Sequence, residues 1–364
     1  MDLFFYDFEF NLRHIERSYI SAEWIVKYNG VGTFEAHFAV TSDVVPLLME
    51  DDIIETDGVK VRQRRYIAVR QGAYTAIITG KSLGNDFTVY GRTANWILTR
   101  RTVPKFKQQT QDVQTLVKWF AGGFPTSSQY SQNLQDCGFH DLFADGTFVF
   151  GTDIVPGSAI KFWRNTQNPL EKVVSECLAR IGAGHRVDFD TARGKWVLQL
   201  LQGQELPLII SEANKNAYDS QIDNDCLEYY TCGWYEEQPE AEEDSTAAAE
   251  SVWKFIPGDT AKTGIYRWEC ALSGTSLSDA RSELEKKAWN NNIQAKAHGL
   301  TLGEDYQLGD IVRVQVSKGK YKTTVKKRIT GVTVRFAQEG MTQQPEFSDV
   351  EDLEKLREED EGNA

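Results

Sequence analysis

Cysteine is scarce in this chain and has no pattern. Cys137, Cys177, Cys226, Cys232 and Cys270 show no CxxC spacing and are odd in number. That excludes a zinc ribbon or a disulfide framework read from spacing, and it suits assembly in a reducing bacterial cytoplasm. Histidine is equally thin. His14, His37, His140, His185 and His298 are scattered, and none falls in HExxH, so structural or exposed roles are expected rather than metal binding. No run of about 18 apolar residues occurs, so no transmembrane helix and no membrane insertion are expected. The start, Met1 to Phe8, lacks a basic stretch and does not read as a signal peptide. Positive charge is short too. Forty Lys and Arg face 53 Asp and Glu, a net charge of −13. That argues against a free surface made for nucleic acid or anionic membrane. The acid is uneven, with much of it in 236–250 and 349–361.

Aromatics are plentiful. Nine Trp, 14 Tyr and 19 Phe in 364 residues suit β-rich layers and large protein contacts, with core packing the role of most. The length allows two to four domains, each with its own core.

Residues 1–103 alternate apolar and polar positions. Asn29-Gly30 separates Trp24–Tyr28 from Gly32–Val40 and reads as a hairpin turn. Strands are expected at 65–69, 75–79 and 87–91. In 104–205, Val113, Leu116, Val117 and Phe120 make an amphipathic stripe. Asn168-Pro169-Leu170-Glu171 reads as a helix start, with Asn168 as cap and Pro169 as first residue. Its stripe includes Cys177, a small core residue, and ends at Gly182. Residues 186–190 and 195–200 form a hairpin around Thr191–Gly194. Residues 206–211 and 227–233 return to β. The stretch 236–251 is too acidic and too poor in apolar residues to fold alone. Strands follow at 253–256 and 266–272, then a helix over 277–297, capped by Ser276 with Asp279 three residues on. Last comes a β-meander. Asp305 to Val316 carries the turn Gly309-Asp310, Lys318-Gly319-Lys320 turns again, and Val325 to Phe336 alternates.

The stretch Tyr306-Gln-Leu-Gly-Asp-Ile-Val-Arg-Val with Lys327-Arg-Ile-Thr-Gly-Val-Thr-Val334 resembles the C-terminal hub motif of ReqiPepy-type siphophage tail-tip proteins. That family is similar to baseplate hubs and to the N-terminal hub part of tail-associated lysins. The resemblance continues at Gly32, Phe34 and Glu35, at Leu48, Asp52 and Ile53, at Tyr66 and Ile67, and at Val89, Gly91, Ile97, Leu98, Arg100 and Arg101. It returns at Ile210, Glu212, Asn216, Tyr218, Asp223 and Gly233, with a departure at Cys226-Leu227-Glu228. It implies an α+β, mainly β chain. Two β-barrel-like hub domains flank an inserted α+β domain: 1–103 completed by 206–235, the insert 104–205, and 236–347 with the acidic loop 236–251 and the helix 277–297. The acidic tail 348–364 is expected to be partly disordered. It implies a homotrimeric ring that joins a sixfold tail tube to a threefold tip, in the virion tail tip or baseplate, and lets DNA pass. The partners implied are a distal tail protein, the tape-measure protein C-terminus, and a tail spike or fibre. Relatives that cleave cell walls continue into a further domain, so with the chain ending at Ala364 any such activity is expected to lie on another polypeptide.

Candidate chemistry is sparse. Thr79-Gly80-Lys81-Ser82 resembles a P-loop end, but Thr75 stands where the motif needs Gly, and a turn between strands is expected. A hydrolase elbow is not expected. Asp51, Asp52, Glu55 and Asp57 before Gly58 resemble a calcium loop in composition only. Asp188 and Asp190, at period two on one strand face, are a carboxylate pair of the kind that serves hydrolysis, but no third group accompanies them and a solvent-facing hairpin is the better reading. Arg100, Arg101, Lys105 and Lys107 form the best basic cluster, for subunit salt bridges or lumen lining, against a solvated face. No catalytic, cofactor or metal site is therefore assigned. The rival readings are a cell-wall-degrading tail enzyme using Asp188 and Asp190, and a surface-glycan-binding module using exposed aromatics.

Overall fold

The structure, a computed structural model, describes residues 2–50, 52–56, 58–63, 66–151, 159–164, 166–237, 252–258, 263–274, 277–287, 290–337 and 340–350. Most of the acidic stretch, the tail from 351, the expected cap Ser276, and Asp51 and Asp57 of the calcium-like run lie outside these residues. The chain divides into two compact units. The first holds 1–218, 296–315 and 323–357; the second holds 219–295, 316–322 and 358–364.

The expected mainly β architecture is present. Eleven strands share one sheet: β1 Leu3–Asp7, β2 Leu12–Glu16, β3 Tyr19–Lys27, β4 Thr33–Phe38, β5 Ile67–Gln71, β6 Tyr74–Leu83, β7 Phe87–Thr93, β8 Glu205–Ile210, β9 Ile311–Lys318, β10 Tyr321–Ala337 and β11 Gly340–Asp349. Their order is β8-β9-β10-β3-β4-β7-β6-β5-β1-β2, with β11 also paired to β10. The Asn29-Gly30 hairpin forms as expected, setting Trp24 opposite Phe34. Alternation along β3 and β4 sends Ala22, Trp24, Phe34, Ala36 and Phe38 inward. Val334 of β10 lies opposite Trp24, and Phe336 meets the Trp24 ring edge-on at 5.6 Å. Burying each such ring contributes roughly 1.5–3 kcal/mol, so the C-terminal meander and the N-terminal hairpin form one cooperative layer.

Two expectations are corrected here. The sheet does not close into a barrel: among the described residues β2 and β8 end the strand order and each pairs on one side only. The meander does not sit in a module of its own, because β10 pairs with β3 in antiparallel register from Gly331↔Lys27 to Ala337↔Ser21.

Residues 104–205 supply helices Val113–Gly122 and Leu170–Ala179 and the hairpin of Ala183–Asp190 with Lys195–Gln202. Asp112 caps the first helix, its carboxylate accepting from Thr115 N–H at 3.2 Å. The second helix starts differently from expectation. Asn168-Pro169 is extended and pairs with Thr102-Val103, so Pro169 itself is the cap position. Both helical stripes, Cys177 included, enter one buried cluster with Leu98, Phe148, Phe189 and Trp196. Tyr6, Phe8 and Phe10 from the β1–β2 region pack on it. This segment thus shares its core with the N-terminal strands.

In the second unit, strands Val252–Pro257, Cys232–Glu237 and Glu269–Ala271 form a three-stranded sheet in that order. One face packs on the helix Leu277–Lys286 through Tyr235, Ile256, Leu272, Ala280 and Leu284. The strand expected at 227–233 runs instead from Cys232. The helix expected to reach 297 ends at Lys286, and Asn290–Ala297 is a strand. Asn290, Asn291 and Asn292 are poor helix formers, and burial of Ile293, Ala295 and Ala297 follows the two-residue period of a strand. Glu283 ties the helix to the loop that precedes it. Its carboxylate accepts from the Ser273 and Gly274 backbone at 2.7 and 3.2 Å, which anchors the loop before the helix.

Candidate functional site

The residues that resemble the hub motif meet at one buried node in the first unit. Gly309 has φ +91, and a Cβ there would lie 2.1 Å from the Tyr28 ring. Only glycine fits both constraints. Its carbonyl accepts from Arg328 Nη1 at 2.8 Å, and its N–H donates to Ile329 O at 2.8 Å. Asp310 is buried, and its two carboxylate oxygens accept from Gln204 N–H at 3.0 Å and Gln307 N–H at 2.7 Å. Gly203 approaches just as closely: a Cβ there would lie 1.8 Å from Gly309 O. The Tyr28 hydroxyl donates to Gly182 O at 2.9 Å and accepts from Gly203 N–H at 3.2 Å. The Leu-Gly-Asp and Arg-Ile pieces are thus a backbone latch, tying β9 and β10 to the end of β3 and to the 182–204 segment.

A second node lies beside it, and beyond the turn residue Asn29 its members carried no signal in the sequence. Asn29 donates to Ser175 O at 2.9 Å, and its amide oxygen lies 3.0 Å from His185 Nδ1. Asn95 donates to Gly30 O at 2.8 Å and accepts from Val187 N–H at 2.7 Å. His185 is fully buried with Nε2 unpartnered, and burial pushes its imidazole down to about 4. Lone Asn and His residues look alike in sequence whether they are buried or solvated.

Asp188 and Asp190 do line a concave site, an open cleft of about 670 Å³ shared with Arg70, Arg186, Arg193, Gln199, Phe150 and Val197. Hydrolysis needs one carboxyl kept as an acid and one as a base. Here each is committed to structure. Asp188 forms a two-point ion pair with Arg186 at 2.6 and 3.1 Å. Asp190 closes the hairpin turn by accepting from Ala192 and Arg193 N–H at 3.0 and 3.1 Å.

The P-loop-like residues are not at a turn. They lie within β6, whose bulge falls between Ile78 and Gly80. Gly80 admits the Tyr90 ring, which a Cβ would meet at 1.9 Å. Gly80-Lys81-Ser82-Leu83-Gly84 also fits Gly-x-Ser-x-Gly. An elbow needs a sharp turn from strand to helix. Ser82 instead lies opposite Thr88 in an antiparallel pair. Thr88 lies opposite His37, so the histidine is two strands from Ser82, about 10 Å away. His37 bridges Asp86 and Glu35, each at 2.9 Å. The Asp86 hydrogen bond, with Glu35 aiding against partial burial, raises its pKa.

The other calls separate. Arg100 lies over Trp96 at 5.2 Å. Arg101 lies over Phe139 at 5.0 Å and pairs with Asp141 at 2.9 Å, while Lys105 and Lys107 are exposed. His14, His140 and His298 lie in separate surroundings. Among the described residues no group of three or more His, Cys, Asp or Glu is placed to hold a metal ion, and no helix is long and apolar enough to cross a membrane. None of the five cysteines is in a disulfide, and burial pushes the thiol of Cys137 up to about 12.

No family model matches the chain, and no curated protein matches it. Solved structures do. The chain is similar to the 43 kDa tail protein of prophage MuSo2 from Shewanella oneidensis, at 8% identity and TM-score 0.52, covering 98% of this chain and 100% of that one. It is similar to a tail protein from Neisseria meningitidis MC58, at 12% identity and TM-score 0.51, with 96% of each chain covered. It is also similar to prophage tail protein gp18 from Listeria monocytogenes EGD-e, at 9% identity and TM-score 0.50, covering 99% and 98%. The chain therefore has the fold of phage tail proteins over nearly its whole length.

Proposed function

We propose that this chain is a structural component of a phage-type tail, a hub at the tail tip or baseplate. Three copies close a ring that joins a sixfold tube to a threefold tip. The observation that carries the reading is the match to three tail proteins over at least 96% of this chain. It is joined by the latch, which gives the hub-like sequence motif a physical role. The open ends of the large sheet support ring closure. β2 and β8 each have one unpaired edge among the described residues, and Leu12, Ile15 and Ile20 are exposed near β2. Such edges invite pairing with another chain unless a neighbour covers them. The net charge of −13 suits a conduit that DNA crosses without sticking.

In this reading the protein is not an enzyme and works without cofactor or metal. Its partners are a distal tail protein, the tape-measure protein C-terminus and a spike or fibre, in the virion of a siphophage assembled in the host cytoplasm. Electron microscopy of the purified chain tests it: three-membered rings support the reading, and isolated single copies at high concentration oppose it. The rival carboxylate-pair enzyme is tested on purified peptidoglycan. Release of fragments that stops in Asp188→Asn with Asp190→Asn would replace the structural reading.

A further inference from the structure

The three-stranded sheet of the second unit has one face buried under its helix and one face open. On the open face Trp234 stands opposite Phe255, and Glu236 stands opposite Trp253. These aromatics are large and exposed: Trp234 at 38%, Trp253 at 56% and Phe255 at 39%. Solvent-facing sheet positions are ordinarily polar, so three aromatics on one small face form a patch of the kind that marks a contact site.

The patch is also held in place. Trp234 and Phe255 pack at 5.1 Å between centroids. Arg267 lies over the Phe255 ring at 4.8 Å and pairs with Glu269 at 2.5 Å. The other oxygen of Glu269 accepts from Trp234 Nε1 at 3.1 Å. The Trp234 indole is therefore fixed before any ligand arrives, which lowers the ordering cost of binding. Trp253 stands beside it on the edge strand.

The chemistry of the face selects among occupants. Aromatic faces carry negative quadrupole density, and Glu236 and Glu269 add carboxylate oxygens that accept strongly from hydroxyl groups. Arg267, the cation here, is engaged by Glu269 and Phe255. The face is electron-rich and flat. It complements a flat ligand whose C–H groups are weakly positive and whose rim carries O–H donors, and it repels phosphate and carboxylate polymers. We infer that this face, built on Trp234 and Trp253 with Glu236 and Glu269 at its rim, binds a neutral glycan by stacking sugar rings on the indoles. This goes beyond the tail-hub role and does not depend on it.

The test is tryptophan fluorescence titration of the full chain with two neutral probes, an N-acetylglucosamine tetrasaccharide and a glucose hexasaccharide. A saturable change with at least one probe is expected. Trp253→Ala should weaken that binding about tenfold, the loss of one stacking contact, and Trp253→Phe should largely restore it. Because Trp253 is on an edge strand and more than half exposed, Trp253→Ala should keep the wild-type melting temperature. Two results overturn the inference: no change with either probe, or binding that Trp253→Ala leaves intact. Burial of Trp253 on self-association, seen as loss of iodide quenching with rising protein concentration, would give the face to a second copy and overturn it as well.

Discussion

Replacing Asp310 by alanine removes the acceptors that hold the latch shut. In the native chain its carboxylate takes the N–H groups of Gln204 and Gln307 at 3.0 and 2.7 Å, and the residue is 2% exposed. Water cannot easily replace the lost oxygens at that depth. Each stranded N–H costs about 1–3 kcal/mol, so the substitution should destabilise the first unit by roughly 2–6 kcal/mol. For a unit of this size about 1 kcal/mol moves the melting temperature by ~2–4 °C, so a fall of at least about 4 °C is expected. Asp310→Asn keeps one carbonyl acceptor and turns an amide donor toward the other N–H, so it should fall between. Hydrogen exchange followed by mass spectrometry gives the local reading. Amides around Gln204 and Gln307 should lose protection first, ahead of those in the Trp24–Phe34 layer. A melting temperature within 1 °C of wild type, with unchanged exchange at Gln204, would refute the assignment of Asp310 as a latch.

Three further outcomes follow from the same geometry. Gly309→Ala adds left-handed strain and a clash with Tyr28, and should cost about 2–4 kcal/mol by urea denaturation, whereas Gly319→Ala, in a turn with open space around it, should cost about 1 kcal/mol from backbone strain alone. His185 is held neutral by burial, with its pKa down at about 4. The unfolded chain takes up that proton first, so the stabilisation is complete above about pH 6.5 and is lost as pH falls toward 4. His185→Gln should remove up to about 3 kcal/mol of the acid sensitivity seen in urea midpoints at pH 7.0 and 4.5. His37 has the opposite sign. Its pKa is raised by Asp86 and Glu35, so its contribution is full below about pH 6.5 and is lost as pH rises through the raised value. The wild-type midpoint should therefore drop between pH 6 and pH 8.5 relative to His37→Asn, and no difference between the two profiles would contradict the pairing.

Much of the fold is written in local signals. The Asn29-Gly30 turn, the stripe from Val113 to Phe120, the hairpin around Gly194 and the two turns of the meander each depend on a few neighbouring residues. The failures have a common cause, which is that the deciding contact is distant in sequence. The pairing of β10 with β3 joins residues some 300 positions apart, and nothing in either strand names its partner. The helix expected over 277–297 rests on the stripe Leu277, Ala280, Leu284 and Ala288, and only its first part forms. The run Asn290-Asn291-Asn292 is the local signal against a helix reaching 297. Asp188 and Asp190 share a strand face as their spacing indicated, but Arg186 and the turn amides that occupy them are visible only in three dimensions. The Gly80–Gly84 match shows the converse: a motif of the right letters on a strand where its chemistry cannot form. Gly309 and Asp310 have the letters of a plain turn, but they are constrained by Tyr28 and Gln204, which no spacing rule connects to them.

The mass of the purified chain in solution tests the central claim most directly. Sedimentation equilibrium across a hundredfold range of concentration should resolve a species of three times 41.3 kDa, held at moderate ionic strength and favoured as concentration rises. A single species of 41.3 kDa at every concentration, with the protein also absent from assembled tails, would contradict the ring.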